Sequence, residues 1–487
     1  MIDMNPLLLS DTYKQTHDRM YPKNLDYLVS YLVPRKSMLA ETAEMVFFGL
    51  QAFVKDFLID YFDKNFFKKG LSELLSEYQY YMDIQLGRGN YDIQKVVDLH
   101  ALGYLPLCIN ALPEGTRVPM GVPCVELTNT KAGFAWLVQW VECMLQTELW
   151  KICNHATIAD MYLTCATKWY DKTTDGVNPR EACADFGFRG MSCVEEATKC
   201  SAAWLTAFNK TSTIPALAWV QKFYSPEEPV GRGGVSTEHS VMCANFAIDG
   251  DEITFVKKLL TQLYPDTSFS MVSDSYDYWN MVKNIIPACK PEILKHNGKL
   301  LIRPDSGDMR TIAPDTVQSL WDTFGGTINS KGYKVLDPHI GVIYGDGCTL
   351  RNVDYVWSEL ERRGFAATNV VFGVGAFCFT SMWEGDRLIV NSRDTFGMAM
   401  KATAGILKDG TKIEIFKDPK TDPTGLKKSL KGRVSVIRDD DGKLVVVPYQ
   451  STLDYSGRNI LRSVFHTGTQ SQPTTTLNNI RWRLARD

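Results

Sequence analysis

The sequence lacks what would assign it to several large classes. No stretch of its 487 residues approaches the roughly 20 apolar positions that span a bilayer. The stretch 134–150, FAWLVQWVECMLQTELW, carries Gln139, Glu142, Gln146 and Glu148 and reads as a buried helix. The N-terminus, MIDMNPLLLSDTYK, has three consecutive leucines and no cleavable signal pattern. Twelve cysteines are scattered with no C-x-x-C, as free thiols are in a reducing compartment, so neither a disulfide framework nor a zinc site is expected. Net charge is only −3, and basic clusters such as Lys427-Lys428 are short, so no nucleic-acid footprint exists. There is no G-x-x-x-x-G-K-[ST] loop and no G-x-S-x-G elbow. The DFG at 185–187 has no HRD loop or glycine-rich ATP loop in kinase order. The expectation is a cytoplasmic protein with neither membrane nor nucleic acid as partner.

What is present is ordinary globular composition, 45% apolar and 22% charged, over a length that calls for two or three domains. Residues 41–83 have helical periodicity, and 106–128 alternate and turn at Glu114-Gly115 like a β-hairpin. Helical patterns return over 134–172. From about 180 to 380 a short apolar run, a Gly/Asp/Ser loop and a helix recur, in ACADFGFRG, SFSMVSDSYD, KLLIRPDSGD, HIGVIYGDG and NVVFGVGAF. Such units predict an α/β fold, an irregular (β/α) barrel of about seven parallel strands over 179–394. GRVSVIRDDDGKLVVVPY predicts a hairpin turning at Asp441-Gly442. Segments 1–178 and 395–487 are expected to form one discontinuous α+β domain.

The polar residues fall just after each strand, on the face where (β/α) barrels keep their sites. Asp185, Arg189, Asp274, Arg303, Asp305 and Asp346 are expected to converge there. RPDSGD (303–308) offers carboxylates for sugar hydroxyls and a planar guanidinium for phosphate, or simply a salt-bridged turn. YGDG (344–347) and SDSYD (273–277) add carboxylates, while FGVGAF (372–377) brings backbone close at a strand end, for a phosphate or for packing. In DFGFRG, Phe186 covers a planar ring and Arg189 holds an anion, or they are a core Phe and a surface Arg. GRGGVSTEHS (231–240) is a glycine loop leading to Glu238-His239 at a helix start, an anion cradle or ordinary packing. Together these suit a phosphorylated sugar with Mg²⁺, which takes a few carboxylates plus phosphate oxygens and water.

The motifs, in order and nearly end to end, resemble the nicotinamide phosphoribosyltransferase family of type II phosphoribosyltransferases. The resemblance runs through LLLSDTYKQTHDRMYP, LPEGTRVPMGVP, DFGFRG, STEHS, SDSYD, LIRPDSG, YGDG and FKDP. It implies synthesis of nicotinamide mononucleotide and pyrophosphate from nicotinamide and phosphoribosyl pyrophosphate, in a homodimer with shared active sites. It implies that Phe186, with Tyr13 of the second subunit, sandwiches the pyridine ring. Asp305 and Asp346 would hold the ribose hydroxyls, and Arg189 and Arg303 would face pyrophosphate and ring. Gly345 and Gly375 would line the ribose-phosphate pocket, and Ser270 would approach the carboxamide. Arg393 and Lys401 of the second subunit would grip the 5′-phosphate. His239 matches the histidine phosphorylated when ATP hydrolysis is coupled to synthesis, with Glu238 its acidic neighbour. Mg²⁺ would enter through the pyrophosphate, near Asp274 and Asp305.

Three places depart from the family pattern. Ser212 stands where nicotinamide enzymes carry an Asp near the carboxamide, which leaves a nicotinate phosphoribosyltransferase open. Ala376 and Phe377 replace glycines beside the 5′-phosphate, and Ala399 replaces a Ser. The segment 378–392 is longer than the pattern. A remodelled phosphate pocket suits a donor extended at that phosphate, such as an ADP-ribose pyrophosphate, whose transfer to nicotinamide gives NAD directly. A catalytically silent binding protein is the remaining alternative.

Overall fold

A computed structural model describes residues 2–384, 387–422 and 427–486. Gly385 and Asp386, within the long segment 378–392, lie outside the described residues. The chain forms two compact units. One comprises Met1–Thr157, Gln221–Glu227 and Asn391–Asp487; the other comprises Ile158–Val220 and Glu228–Val390. The breaks thus fall at 157 and 390, where the sequence reading drew them at 178 and 394.

The unit built from the termini holds a seven-stranded antiparallel sheet. Its order is Lys412–Glu414, Ala399–Leu407, Leu25–Val33, Val125–Asn129, Leu107–Ala111, Arg462–His466 and Thr469–Gln470. Leu107–Ala111 buries every second side chain, the period that half-covered strands require. It pairs with Val125–Asn129, as a hairpin over 106–128 demands. The strand between them, Arg117–Pro119, pairs instead with Glu44–Val46. Val434–Arg438 and Leu444–Pro448 form the expected second hairpin, with Gly442 at φ +79° in its turn. The helix Ala135–Trp140 is buried on every side.

The second unit holds seven parallel strands: β1 Cys183–Asp185, β2 Lys210–Thr211, β3 Val235–Ser236, β4 Phe269–Val272, β5 Leu300–Arg303, β6 Ile340–Tyr344 and β7 Val370–Val374. Their order across the sheet is β2-β1-β7-β6-β5-β4-β3. A parallel bridge between Lys210 and Arg232 links the β2 edge to the chain entering β3. Every strand therefore neighbours its successors in sequence, with β7 beside β1, which is the circular order of a (β/α) barrel. β4 and β6 are buried along their whole length, as strands covered on both faces must be. Around them Trp204 stacks on Phe208 at 4.6 Å and meets Phe379 edge-on at 5.4 Å. None of the twelve cysteines is paired in a disulfide.

Candidate active site

The site residues of the barrel unit hang on the C-terminal ends of its strands. β3 stops at Ser236. Thr237 then pins that end to β4: its N–H donates to the Ser270 carbonyl at 3.0 Å, and its hydroxyl accepts the Val272 N–H at 2.9 Å. The helix His239–Asp249 starts two residues later and closes on Gly250 in the left-handed region. His239 is thus held at a strand end with its side chain about half exposed.

Its partner is Asp274, from the loop after β4. His239 Nε2 lies 3.0 Å from Asp274 Oδ1. Asp274 Oδ2 accepts the Asp305 N–H at 3.1 Å and the Ser306 hydroxyl at 2.5 Å. One carboxylate, only 6% exposed, therefore joins the loops that follow β3, β4 and β5. Burial raises its pKa, but the donors Ser306, His239 and the Asp305 N–H outweigh that and hold it below the ordinary value. The ionised carboxylate only accepts, so Nε2 carries a proton, and it is Nδ1 that holds the lone pair whenever the ring is neutral.

Glu238 was expected to pair with His239. Instead it accepts a hydrogen bond from the Ser240 hydroxyl. The cause is backbone direction: Glu238 is in extended conformation at the helix N-cap, while His239 is the first helical residue. A second correction concerns Asp185, expected at the barrel mouth. It is fully buried and accepts from the Gly187 N–H at 2.8 Å and from the hydroxyls of Thr211 at 2.5 Å and Thr213 at 3.3 Å. Its burial pushes the carboxyl pKa up, against the pull of those donors. Asp185 shapes the loops after β1 and β2 and does not face a ligand. Ser212, between the two threonines, is exposed, its N–H on the Asp185 carbonyl at 2.9 Å.

Arg303, the last residue of β5, is oriented by Ser236 and Thr237. Nη1 donates to the Ser236 hydroxyl at 2.7 Å and Nη2 to the Thr237 carbonyl at 2.8 Å. Desolvation lowers its pKa most; Asp305 and Asp274 oppose this and nearby Arg189 adds to it. Ser270 is nearly buried and donates to Ser236 at 2.7 Å, so Ser236 links Ser270 to Arg303. Arg189 itself is exposed.

Phe186 follows β1, its N–H on the Val374 carbonyl at 2.9 Å. The Cδ2–Cε2 edge of its ring lies against two glycines. A Cβ on Gly373 would sit 2.0 Å from the ring, and one on Gly345 would sit 2.9 Å from Asp305 Oδ1 and 3.7 Å from the ring. Gly345 thus lets the Asp305 carboxylate and the Phe186 ring share one wall, with Asp346 exposed beside them. Gly375, expected in this wall, has no atom within 4 Å of where a Cβ would be. Ser236, Ser306 and Gly373 went unnoticed in the sequence although each lies within or beside a singled-out motif. Their partners are 30 or more residues away. Among the described residues no cluster of three or more His, Cys, Asp or Glu could hold a metal by itself.

Tyr13, Arg393 and Lys401 belong to the other unit. Tyr13 is 56% exposed, in the short helix Thr12–Thr16. Lys401, on Ala399–Leu407, places Nζ 3.3 Å from Glu142 Oε1. Arg393 Nη2 is 3.3 Å from Asp394 Oδ1.

Comparison with known proteins gives the family. Residues 182–469 match the model of the nicotinate phosphoribosyltransferase family, and 5–85 match the nicotinamide phosphoribosyltransferase N-terminal domain. The chain is 38% identical over 507 residues to the nicotinamide phosphoribosyltransferase of Acinetobacter baylyi, covering 99% of this chain and 97% of that one. It is 30% identical over 460 residues to the enzyme of the same name from Mycoplasma pneumoniae, covering 88% and 94%. Two solved structures share the fold: nicotinate-nucleotide pyrophosphorylase from Pyrococcus furiosus (TM-score 0.59, 13% identity, 99% and 95% covered) and human nicotinic acid phosphoribosyltransferase (TM-score 0.54, 15% identity, 98% and 93% covered). The chain belongs to the nicotinate phosphoribosyltransferase family, on the branch that carries the nicotinamide phosphoribosyltransferase N-terminal domain.

Proposed function

We propose that the protein is a pentosyltransferase of NAD salvage that joins nicotinamide to C1 of phosphoribosyl pyrophosphate, giving nicotinamide mononucleotide and pyrophosphate. The observation that carries this is the shared wall of Phe186, Gly345 and Asp305. It sets an aromatic ring for a pyridine beside a carboxylate for ribose hydroxyls. The C1–oxygen bond to pyrophosphate loosens, C1 gains oxocarbenium character, and the pyridine nitrogen supplies the new bond. Phe186 holds the ring by offset stacking. Asp305 and Asp346 accept from the ribose hydroxyls, and Arg189 and Arg303 oppose the charge building on the leaving oxygen. Mg²⁺ suits Asp274 and Asp305 as partners only together with pyrophosphate oxygens, and when bound it would neutralise the departing charge.

ATP is read as a co-substrate through His239. With Nε2–H held by Asp274, the Nδ1 lone pair attacks the γ-phosphorus, the phosphorus–oxygen bond to ADP breaks, and ADP leaves. Tyr13, Arg393 and Lys401 complete the site from a second copy, in a homodimer. The free cysteines suit the cytoplasm, and no helix among the described residues is long and apolar enough to cross a membrane. Purified protein given nicotinamide, phosphoribosyl pyrophosphate and Mg²⁺ is expected to form the mononucleotide and pyrophosphate in equal amounts. Absence of both sinks the proposal.

One observation favours a second donor. A Cβ on Gly190 would fall 2.3 Å from the Ala376 methyl, so Ala376 fills the space over Gly190. Phe377, the next residue, is 49% exposed. A phosphate pocket narrowed by this methyl and followed by the open Phe377 ring suits a donor whose 5′-phosphate is extended by an adenosine monophosphate group. Incubation with ADP-ribose pyrophosphate instead tests this: NAD formed without any adenylyltransferase supports it, and its absence removes it.

A further inference from the structure

Glu142 is the first residue of the helix Glu142–Thr173, and its side chain is only 14% exposed. Both oxygens hold lysines. Lys14 Nζ is 2.6 Å from Oε2, and Lys401 Nζ is 3.3 Å from Oε1, where the Gln146 amide also donates at 2.8 Å. Lys14 is almost buried, and a buried ammonium must be paired. It also stands 5.6 Å from the centroid of the Tyr13 ring. The next residue, Gln15, is buried and tied to the Leu7 carbonyl and the Tyr78 hydroxyl. Tyr13 is thus an exposed ring on a turn whose following two side chains are anchored.

Lys401 differs in being 44% exposed. Of its three ammonium hydrogens, one goes to Glu142 and one to the Met400 carbonyl at 2.8 Å. Such an arrangement orients the third. One carboxylate between two lysines also leaves a net positive charge, the sign a phosphate requires.

We propose that Glu142 is a positioning residue that sets two substrate contacts at once: the stacking tyrosine, through Lys14, and the phosphate-binding ammonium of Lys401. This rests on the transferase reading, in which Tyr13 meets nicotinamide and Lys401 meets the donor 5′-phosphate. Glu142 touches neither substrate. Its effect is to fix, through one charge, the spacing between the nicotinamide and phosphate contacts of this unit.

The test is steady-state kinetics on Glu142→Gln, Lys401→Ala and the double variant, with thermal unfolding alongside. Glu142→Gln is expected to raise KM for both nicotinamide and the donor, the latter on the order of tenfold to a hundredfold, while kcat changes far less. In the Lys401→Ala background it should leave the donor KM where Lys401→Ala alone puts it, yet still raise the nicotinamide KM. If Glu142→Gln does not unfold cooperatively, Glu142→Asp, which keeps the charge on a shorter arm, carries the same comparison. Equal factors on the donor KM with and without Lys401 overturn the proposal, as do KM values at the wild-type level in an active, folded variant. A wild-type protein inert toward nicotinamide and the donor overturns the transferase reading, and this proposal with it.

Discussion

Replacing Gly373 by Ala tests the site at its tightest point. The added methyl carbon would lie 2.0 Å from Cε2 of Phe186, 2.2 Å from Cδ2 and 2.9 Å from Cζ. Carbon–carbon contact begins at about 3.5 Å, so the ring must retreat by about 1.5 Å or the strand must shift. Gly373 sits inside β7, which pairs with β6 and β1 on either side, so the ring is the freer element. Overpacking of this kind costs about 1–3 kcal/mol. An aromatic pair is worth about 0.5–1.5 kcal/mol beyond area burial, so losing the stack should raise KM for nicotinamide roughly twofold to tenfold. Denaturant unfolding and initial rates at varied nicotinamide read the two effects. Gly375→Ala is the control: nothing lies within 4 Å and its φ is not positive, so its stability should stay within about 0.5 kcal/mol of wild type. Gly373→Ala with unchanged nicotinamide KM and unchanged stability would refute the placement of Phe186 over this glycine.

Further outcomes follow from the other contacts. His239→Ala should abolish stimulation by ATP and spare basal transfer; equal loss of both in rate assays rejects the phosphohistidine. Asp274→Asn should do the same with the histidine intact. Its amide, with its oxygen kept toward the Asp305 N–H and Ser306, turns NH₂ to Nε2 and so moves the imidazole proton to Nδ1, which phosphate transfer would show as lost labelling from γ-labelled ATP. Asp274 also has a lowered folded-state pKa, so its stabilisation is full above about pH 4 and is lost as pH falls through the folded value. Urea unfolding of Asp274→Asn should then fall less steeply than wild type at acid pH. Ser212→Asp should shift preference toward nicotinamide against nicotinic acid in a competition assay, because a carboxylate accepts from the amide and repels the acid.

Most of the barrel was legible because five of its strands are mostly apolar runs of three to five residues with Gly, Asp or Ser within the next two positions. β2 and β3 have two residues each, too few to show a period, and only pairing with longer neighbours defines them. The 106–128 hairpin was legible at both ends and not in its middle. Alternation marks a strand without naming its partner, and Arg117–Pro119 found Glu44–Val46. Site residues were legible by chemical type and not by direction. Asp185 has the same composition cue as Asp305, yet the last β1 side chain turns inward to two threonines. The histidine's carboxylate was sought next door at Glu238 and came from Asp274, 35 positions on.

That distance bears on how ATP use could reach the transfer step. His239 is joined to the turn that carries Asp305 by Asp274, whose second oxygen accepts the Asp305 N–H and the Ser306 hydroxyl. A phosphoryl group on Nδ1 with the Nε2 proton kept would make the ring cationic and a stronger donor, drawing Asp274 Oδ1 toward it. Both oxygens belong to one rigid carboxylate, so a shift at Oδ1 is felt at Oδ2, and through it by the turn that aims Asp305 along the Gly345 wall. Loops after β3, β4 and β5 are then coupled by a single charge that is nearly closed to water, where such bonds are strongest. In this account the ATP-dependent change in donor KM should vanish in Asp274→Asn even where donor binding itself survives. A donor KM still lowered by ATP in that variant would mean that the signal travels by another route.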